Sequence, residues 1–258
     1  MRHSQTNDGI GNVDFVGAGP GDPELLTLKA LKAFERADVV LHDRLISAEV
    51  LALAGRNAVL VDVGKAGFGP SWKQEDIDAL LVSHAANGQH VVRLKSGDPT
   101  VFGRLDEEIQ AVQAAGISWT IVPGVTAASA AVAGIGQSLT QRGRNSSVRF
   151  LTGHDMKGFA DHDWTALARS GSVAAINMGK KSARFIQGRL IMHGADRATP
   201  VTLIENASRP DQHVLATTLD QLPDDLIAAE MDGPTLMFYG LEPRNAVTAL
   251  TQYKKEHA

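Results

Sequence analysis

Short apolar runs alternate with amphipathic stretches along the first half of the chain. Residues 13–16 (Val-Asp-Phe-Val) read as a strand running into Gly17-Ala18-Gly19-Pro20-Gly21-Asp22-Pro23. Over residues 24–36, Leu25, Leu28, Leu31 and Lys32 recur at helical spacing and predict an amphipathic helix. Strands follow at 37–41 and 58–63, helices at 47–54 and 74–86, and a central strand ends at Val91-Val92-Arg93-Leu94. The chain then turns through Ser96-Gly97-Asp98-Pro99, where glycine admits unusual backbone angles and proline cannot pair in a sheet. A helix is predicted over 104–115, with Asp106, Glu107 and Glu108 in its first turn, and a strand over 118–122. Five strands separated by helices predict a parallel sheet, and the irregular loop after a buried strand is where such folds place ligands.

The second half differs in texture. Residues 125–133 are small and apolar and suit a closely packed helix, whereas 137–147 are polar and basic. Strands are predicted at 148–152, 172–177, 201–205, 213–218 and 235–239, with helices at 182–193, 219–229 and 246–255. The expected organisation is an α/β chain of two α/β domains. It comprises a polar leader (1–12), an N-terminal domain (13–123), a connecting segment (124–146) and a C-terminal domain (147–258).

Composition narrows the classes of function. At 258 residues the chain has room for one large α/β domain or two smaller ones, a hydrophobic content of 43% marks it as globular, and 25 glycines favour tight turns between strands and helices. A formal net charge of −4 argues against nonspecific nucleic-acid binding. There is no cysteine, hence no disulfide or thiolate chemistry, which fits a cytoplasmic protein. No run approaches the roughly 18 apolar residues of a membrane span. The nine histidines form no H-E-x-x-H motif or tight pair, so no metal site is expected.

Gly17-Ala18-Gly19-Pro20-Gly21 invites comparison with a dinucleotide-binding turn, but its spacing is G-x-G-x-G. Pro20 also removes an N–H where a pyrophosphate needs donors. A phosphate loop of the G-x-x-x-x-G-K-[ST] type is absent as well. The pattern points to a small ligand other than a dinucleotide.

The run from Val16 to Thr27 resembles the tetrapyrrole methylase family, as do Ala37-Asp38-Val39-Val40-Leu41-His42-Asp43-Arg44-Leu45, Val63-Gly64-Lys65 and the segment from Val91 to Arg104. Pro123-Gly124-Val125-Thr126-Ala127-Ala128-Ser129, Leu151-Thr152-Gly153-His154 and the run from Glu205 to Gln212 extend the likeness, in order, over about residues 13–240. The resemblance implies S-adenosylmethionine (SAM) held in a cleft between two α/β domains, usually within a homodimer. It further implies a polycarboxylate tetrapyrrole substrate, with two ring carbons of uroporphyrinogen III methylated to give precorrin-2. No nucleic acid or membrane partner is implied.

Carried over by motif, the resemblance assigns SAM to Pro20, Ser96, Gly97, Asp98, Val101, Thr126, Ala127, Met178 and Ala207. Asp98 is expected to meet the cationic amino group, while Met178 suits a core position equally well. The family pattern gives Asp43 and Lys65 the roles of proton acceptor and proton donor. A carboxylate close to cations is a weak base, so charge orientation is at least as good a role for Asp43. Arg104 is assigned to orienting the substrate. Glu107, three residues on, lies on the same helical face, though it serves the helix dipole as well. Arg44, Arg142 and His154 complete the substrate set, His154 being better suited to a structural hydrogen bond. Lys95, Arg144 and Arg149 add to a local surplus of cations suited to carboxylates.

Three motifs depart from the family. Ser96 replaces a usual glycine, Leu105-Asp106 a usual Gly-Gly, and Leu139-Thr140-Gln141-Arg142-Gly143 a usual Thr-His-Arg-Asp. Three alternatives therefore stay open: a precorrin or other methylase of the same fold, a nicotinamide-dependent oxidoreductase using the Gly17 loop, and a non-catalytic SAM-binding protein.

Overall fold

A computed structural model describes residues 9–64 and 72–244. They form two compact units that divide between Thr126 and Ala127.

The first unit is built on a parallel sheet of β1 (Asn12–Gly17), β2 (Val39–His42), β3 (Val59–Asp62), β4 (His90–Lys95) and β5 (Ser118–Val122). Their order is β3-β2-β4-β1-β5, with β4 and β1 paired through Asn12↔His90 to Gly17↔Lys95. Alternation along these strands feeds two cores. Val13, Phe15, Leu41 and Val91 face α3 (Gln74–Ala86) and α4 (Leu105–Ala114), while Val16, Val40, Val92 and Leu94 pack with α1 (Leu28–Arg36) and α2 (Ala48–Leu51). The central strands are buried on both faces, which is why they read as continuous apolar runs.

The stretch read as one helix over 24–36 is divided. Asp22 caps a 3-10 turn at Pro23–Leu25 by accepting from the Glu24 N–H at 2.8 Å, and Thr27 caps α1 by accepting from Ala30 at 3.1 Å. The new start changes the buried face to Ala30, Ala33 and Phe34 and leaves Leu28 78% exposed. Burying Phe34 contributes roughly 1.5–3 kcal/mol.

The second unit begins with α5 (Ala127–Gly134), whose Ala128, Ala131 and Val132 pack with Val173, Ile204 and Phe238. These helix residues lie in the segment read as a connection. The unit's mixed sheet has the order β11-β10-β12-β9-β6, from β6 (Arg149–Thr152), β9 (Ala174–Asn177), β10 (Pro200–Glu205), β11 (His213–Thr218) and β12 (Thr235–Tyr239). Its other face packs on α6 (Trp164–Leu167), α7 (Ala183–Met192) and α8 (Leu222–Ala228). A hairpin of β7 (His154–Asp155) and β8 (Gly158–Phe159) is an addition to the expected elements, and the helix expected at 246–255 lies outside the described residues. Among the described residues no helix is long and apolar enough to cross a membrane.

Candidate functional site

Because the first sheet is parallel throughout, all five carboxyl ends share one edge, and its loops hold most of the expected residues. Three of those loops meet backbone to backbone. Gly19 and Gly97 exchange hydrogen bonds of 3.1 and 2.8 Å. A Cβ built on Gly17 would stand 2.5 Å from the Gly124 nitrogen and 2.7 Å from the Gly97 oxygen. Gly97 holds a φ of 69°, a conformation a side chain resists. Asp98 completes the junction. Its Oδ2 accepts from the Gly124 N–H at 3.0 Å, and its Oδ1 accepts from the Thr100 N–H and hydroxyl at 2.8 and 2.5 Å.

Those bonds bear on two expectations. Asp98, read as a partner for a ligand amine, also ties the loops together. The N–H and C=O of Gly97 are both used by Gly19, and the Val101 N–H donates to the Asp98 carbonyl at 3.1 Å. Pro20 is buried, and Ser96, Val101, Thr126 and Ala127 are half-buried.

Behind the junction lies a charge network whose centre the sequence did not reveal. Arg93 and Lys95 sit two apart on β4, so both side chains enter the layer under α4, where each is buried. Glu108 of α4, 1% exposed, accepts on Oε1 from Arg93 Nε at 3.1 Å, Lys95 Nζ at 2.8 Å and Gln74 Nε2 at 3.3 Å. Arg93 Nη2 donates to Asp43 Oδ1 at 2.6 Å, and Nη1 donates to the Leu94 and Leu41 carbonyls. Burial works to lower the Arg93 guanidinium, but the charges and hydrogen bonds of Asp43 and Glu108 raise it further. Burial and then the Arg93 charge push the Lys95 ammonium below its usual range, which Glu108 and Asp43 offset in part. Lys95 is thus an internal ion, not a surface cation for a substrate. Two charges at alternate positions of an otherwise apolar central strand were the available signal.

Asp43 stands at the open end of β2 with its side chain 31% exposed, and Arg44 after it is exposed. Lys65 lies outside the described residues. Arg104 starts α4 from a left-handed conformation and grips Glu107 with two hydrogen bonds, Nε to Oε1 at 2.8 Å and Nη2 to Oε2 at 2.5 Å. The Glu107 hydrogen bond raises the guanidinium above its usual range. Arg104 and Glu107 share the wall of a pocket of about 430 Å³ with Pro99, Phe102 and Ile121.

In the second unit, β9 and β10 both run antiparallel to β12, and β6 runs parallel to β9. Their carboxyl ends therefore share an edge, which brings His154, Met178 and Ala207 to one side of that sheet. The His154 ring packs edge-on to Phe159 with centroids 5.1 Å apart, and its buried Nδ1 makes no hydrogen bond among the described residues. The expected hydrogen bond is carried by its backbone: its N–H and C=O both meet the Thr152 hydroxyl. Met178 is exposed, which removes the core reading, and Ala207 is buried. Arg142 is exposed, while Arg144 is occupied with Ser138 and Asn145.

Backbone strain marks the same places. Six non-glycine residues among those described have positive φ, and five of them, Phe102, Arg104, Met178, Asn206 and Ser208, follow β4, β9 or β10. Such conformations cost about 1–3 kcal/mol each and persist only where the surrounding structure holds them.

Comparison with known proteins adds a family to this geometry. The chain is 49% identical over 234 residues to a siroheme synthase from Yersinia enterocolitica, covering 91% of this chain and 49% of that protein. It is 46% identical to a siroheme synthase from Methylococcus capsulatus, covering 89% and 49%. The chain thus spans about half the length of the curated relatives it matches. Among solved structures, a uroporphyrin-III C-methyltransferase from Thermus thermophilus complexed with S-adenosyl homocysteine superposes with a TM-score of 0.76 at 38% identity, covering 89% of this chain and 97% of that one. A cobalt precorrin-4 methyltransferase superposes with a TM-score of 0.79 at 27% identity, covering 89% and 94%. The family model of the Tetrapyrrole (Corrin/Porphyrin) Methylases matches residues 12–223, and this chain belongs to that family.

Proposed function

We propose that the chain transfers methyl groups from SAM to two ring carbons of uroporphyrinogen III in succession, giving precorrin-2. The observation that carries this reading is the junction at which the Gly17, Gly97 and Gly124 loops meet, because these are the segments through which the family pattern assigns SAM. A bare Cα at Gly97, a buried Pro20 and a strained backbone at Phe102 and Arg104 suit a ligand lying close against the main chain.

When bound, SAM supplies a methyl group already activated by its sulfonium, so the protein's contribution is chiefly alignment. Pro20, Ser96, Gly97, Val101, Thr126 and Ala127 hold it in this reading, and Met178 and Ala207 are further contacts; Asp98 acts through the loops it ties together. Asp43, fixed by Arg93, orients charge near the acceptor and receives the proton the macrocycle sheds, with Lys65 as the donor. Arg104, Arg44 and Arg142 engage substrate carboxylates, Arg104 by exchanging its Glu107 partner for one of them. Each charge-assisted bond contributes about 1.5–3 kcal/mol, so a few suffice for micromolar binding. We place the protein in the cytoplasm as a homodimer.

Calorimetry with SAM and NAD, followed by transfer of labelled methyl across uroporphyrinogen III and precorrin acceptors, tests this. SAM binding with labelling of uroporphyrinogen III supports it. NAD binding without SAM binding, SAM binding without turnover, or labelling of a precorrin alone would overturn it.

A further inference from the structure

We infer that Glu108 is a positioning residue for the methyl transfer, setting the orientation of the Asp43 carboxylate through Arg93. The inference rests on the reading of Asp43 as a group acting at the acceptor.

A carboxylate buried this deeply costs several kcal/mol unless it is paired, so its contacts show what holds it there. All three donors, from Arg93, Lys95 and Gln74, converge on Oε1, while Oε2 is buried with no hydrogen-bond partner among the described residues. A first-turn acid serving only the helix dipole has no need of that arrangement, and the exposed Asp106 and Glu107 already provide it. Glu108 is instead drawn toward the strand that carries Arg93.

The fork of Arg93 uses each of its nitrogens. Nε is held by Glu108, Nη1 by the Leu41 and Leu94 carbonyls, and Nη2 reaches Asp43. A planar guanidinium held at two corners presents the third in a fixed direction. Without Glu108 it can pivot about the remaining corner, and Asp43, the partly exposed member, follows it.

A double-mutant cycle separates positioning from general support of the fold. Glu108→Gln is expected to lower kcat about 10- to 100-fold, the scale of a misplaced catalytic group, while KM for SAM stays within about twofold. In an Asp43→Asn background the same substitution should cost nothing further. Equal fold losses in both backgrounds, or no loss in the parent, would overturn the role given to Glu108. Full kcat in Asp43→Asn alone would overturn the reading of Asp43, and this inference with it. If Glu108→Gln does not fold, Glu108→Asp enters the same cycle; it keeps the charge, withdraws it by one methylene and should lose activity only where Asp43 is intact.

Discussion

Replacing Gly124 by alanine puts a methyl group where two backbones already meet. Its Cβ would stand 2.2 Å from the Gly97 carbonyl oxygen and 2.9 Å from the Gly17 Cα, whereas ordinary contact begins at 3.4 Å. Neither neighbour is the end of a flexible side chain, so the loop after β5 must withdraw by roughly 1 Å. Overpacking of this kind costs about 1–3 kcal/mol, and at about 2–4 °C per kcal/mol the melting temperature should fall by several degrees. The same movement stretches the Asp98 bond to the Gly124 N–H, so the loops proposed to hold SAM lose their register. A displacement near 1 Å in a group that aligns reactants costs about 100-fold in rate. Thermal melting with and without SAM, calorimetry and methyl transfer read these effects separately. An unchanged melting temperature with undiminished SAM affinity would refute the role given to the junction.

Other substitutions probe the account elsewhere. A Cβ added at Gly188 in α7 would meet nothing within 4 Å, so Gly188→Ala should raise stability by up to about 1 kcal/mol and leave methyl transfer unchanged in the same assays. Arg104→Ala should abolish methylation yet preserve SAM affinity by calorimetry, with stability within about 0.5 kcal/mol because its ion pair with Glu107 is exposed. Collapse of SAM binding would contradict its assignment to the substrate. At the other end of the first sheet, burial works to raise the Asp14 carboxyl, but hydrogen bonds from His90 at 2.9 Å and Thr120 at 2.5 Å, with the charges of His90 and Arg36, hold it below the usual carboxylate range. A lowered folded-state value stabilises the protein above the ordinary carboxylate range, and the contribution is lost as the pH falls through that lowered value. Asp14→Asn should therefore be less stable than the parent at neutral pH and show a shallower loss in acid, measured by urea unfolding from pH 6 to about pH 2. Parallel curves for the two proteins would contradict this.

The parallel half of the fold was legible because buried strands and amphipathic helices leave distinct periods in the sequence, and the helix at Gln74–Ala86 and the strand at Ser118–Val122 coincide with their predicted bounds. The phase of α1 was not, since the Thr27 cap outranked the spacing of Leu25, Leu28 and Leu31. The hairpin of β7 and β8 has two residues per strand, too few to show a period. At the site, Gly and Pro marked the loops, but alternation tells which face a residue takes and not what waits there. Lys95 consequently read as a cation available to a substrate, although Glu108 is its partner. The same limit hid Arg93 and the part Asp98 plays in tying the loops together.

The most direct test counts methyl groups. Uroporphyrinogen III incubated with the chain and with SAM carrying a deuterated methyl should yield, by mass spectrometry, a tetrapyrrole bearing two labelled methyls on ring carbons. Unlabelled uroporphyrinogen III recovered from protein that binds SAM would contradict the account.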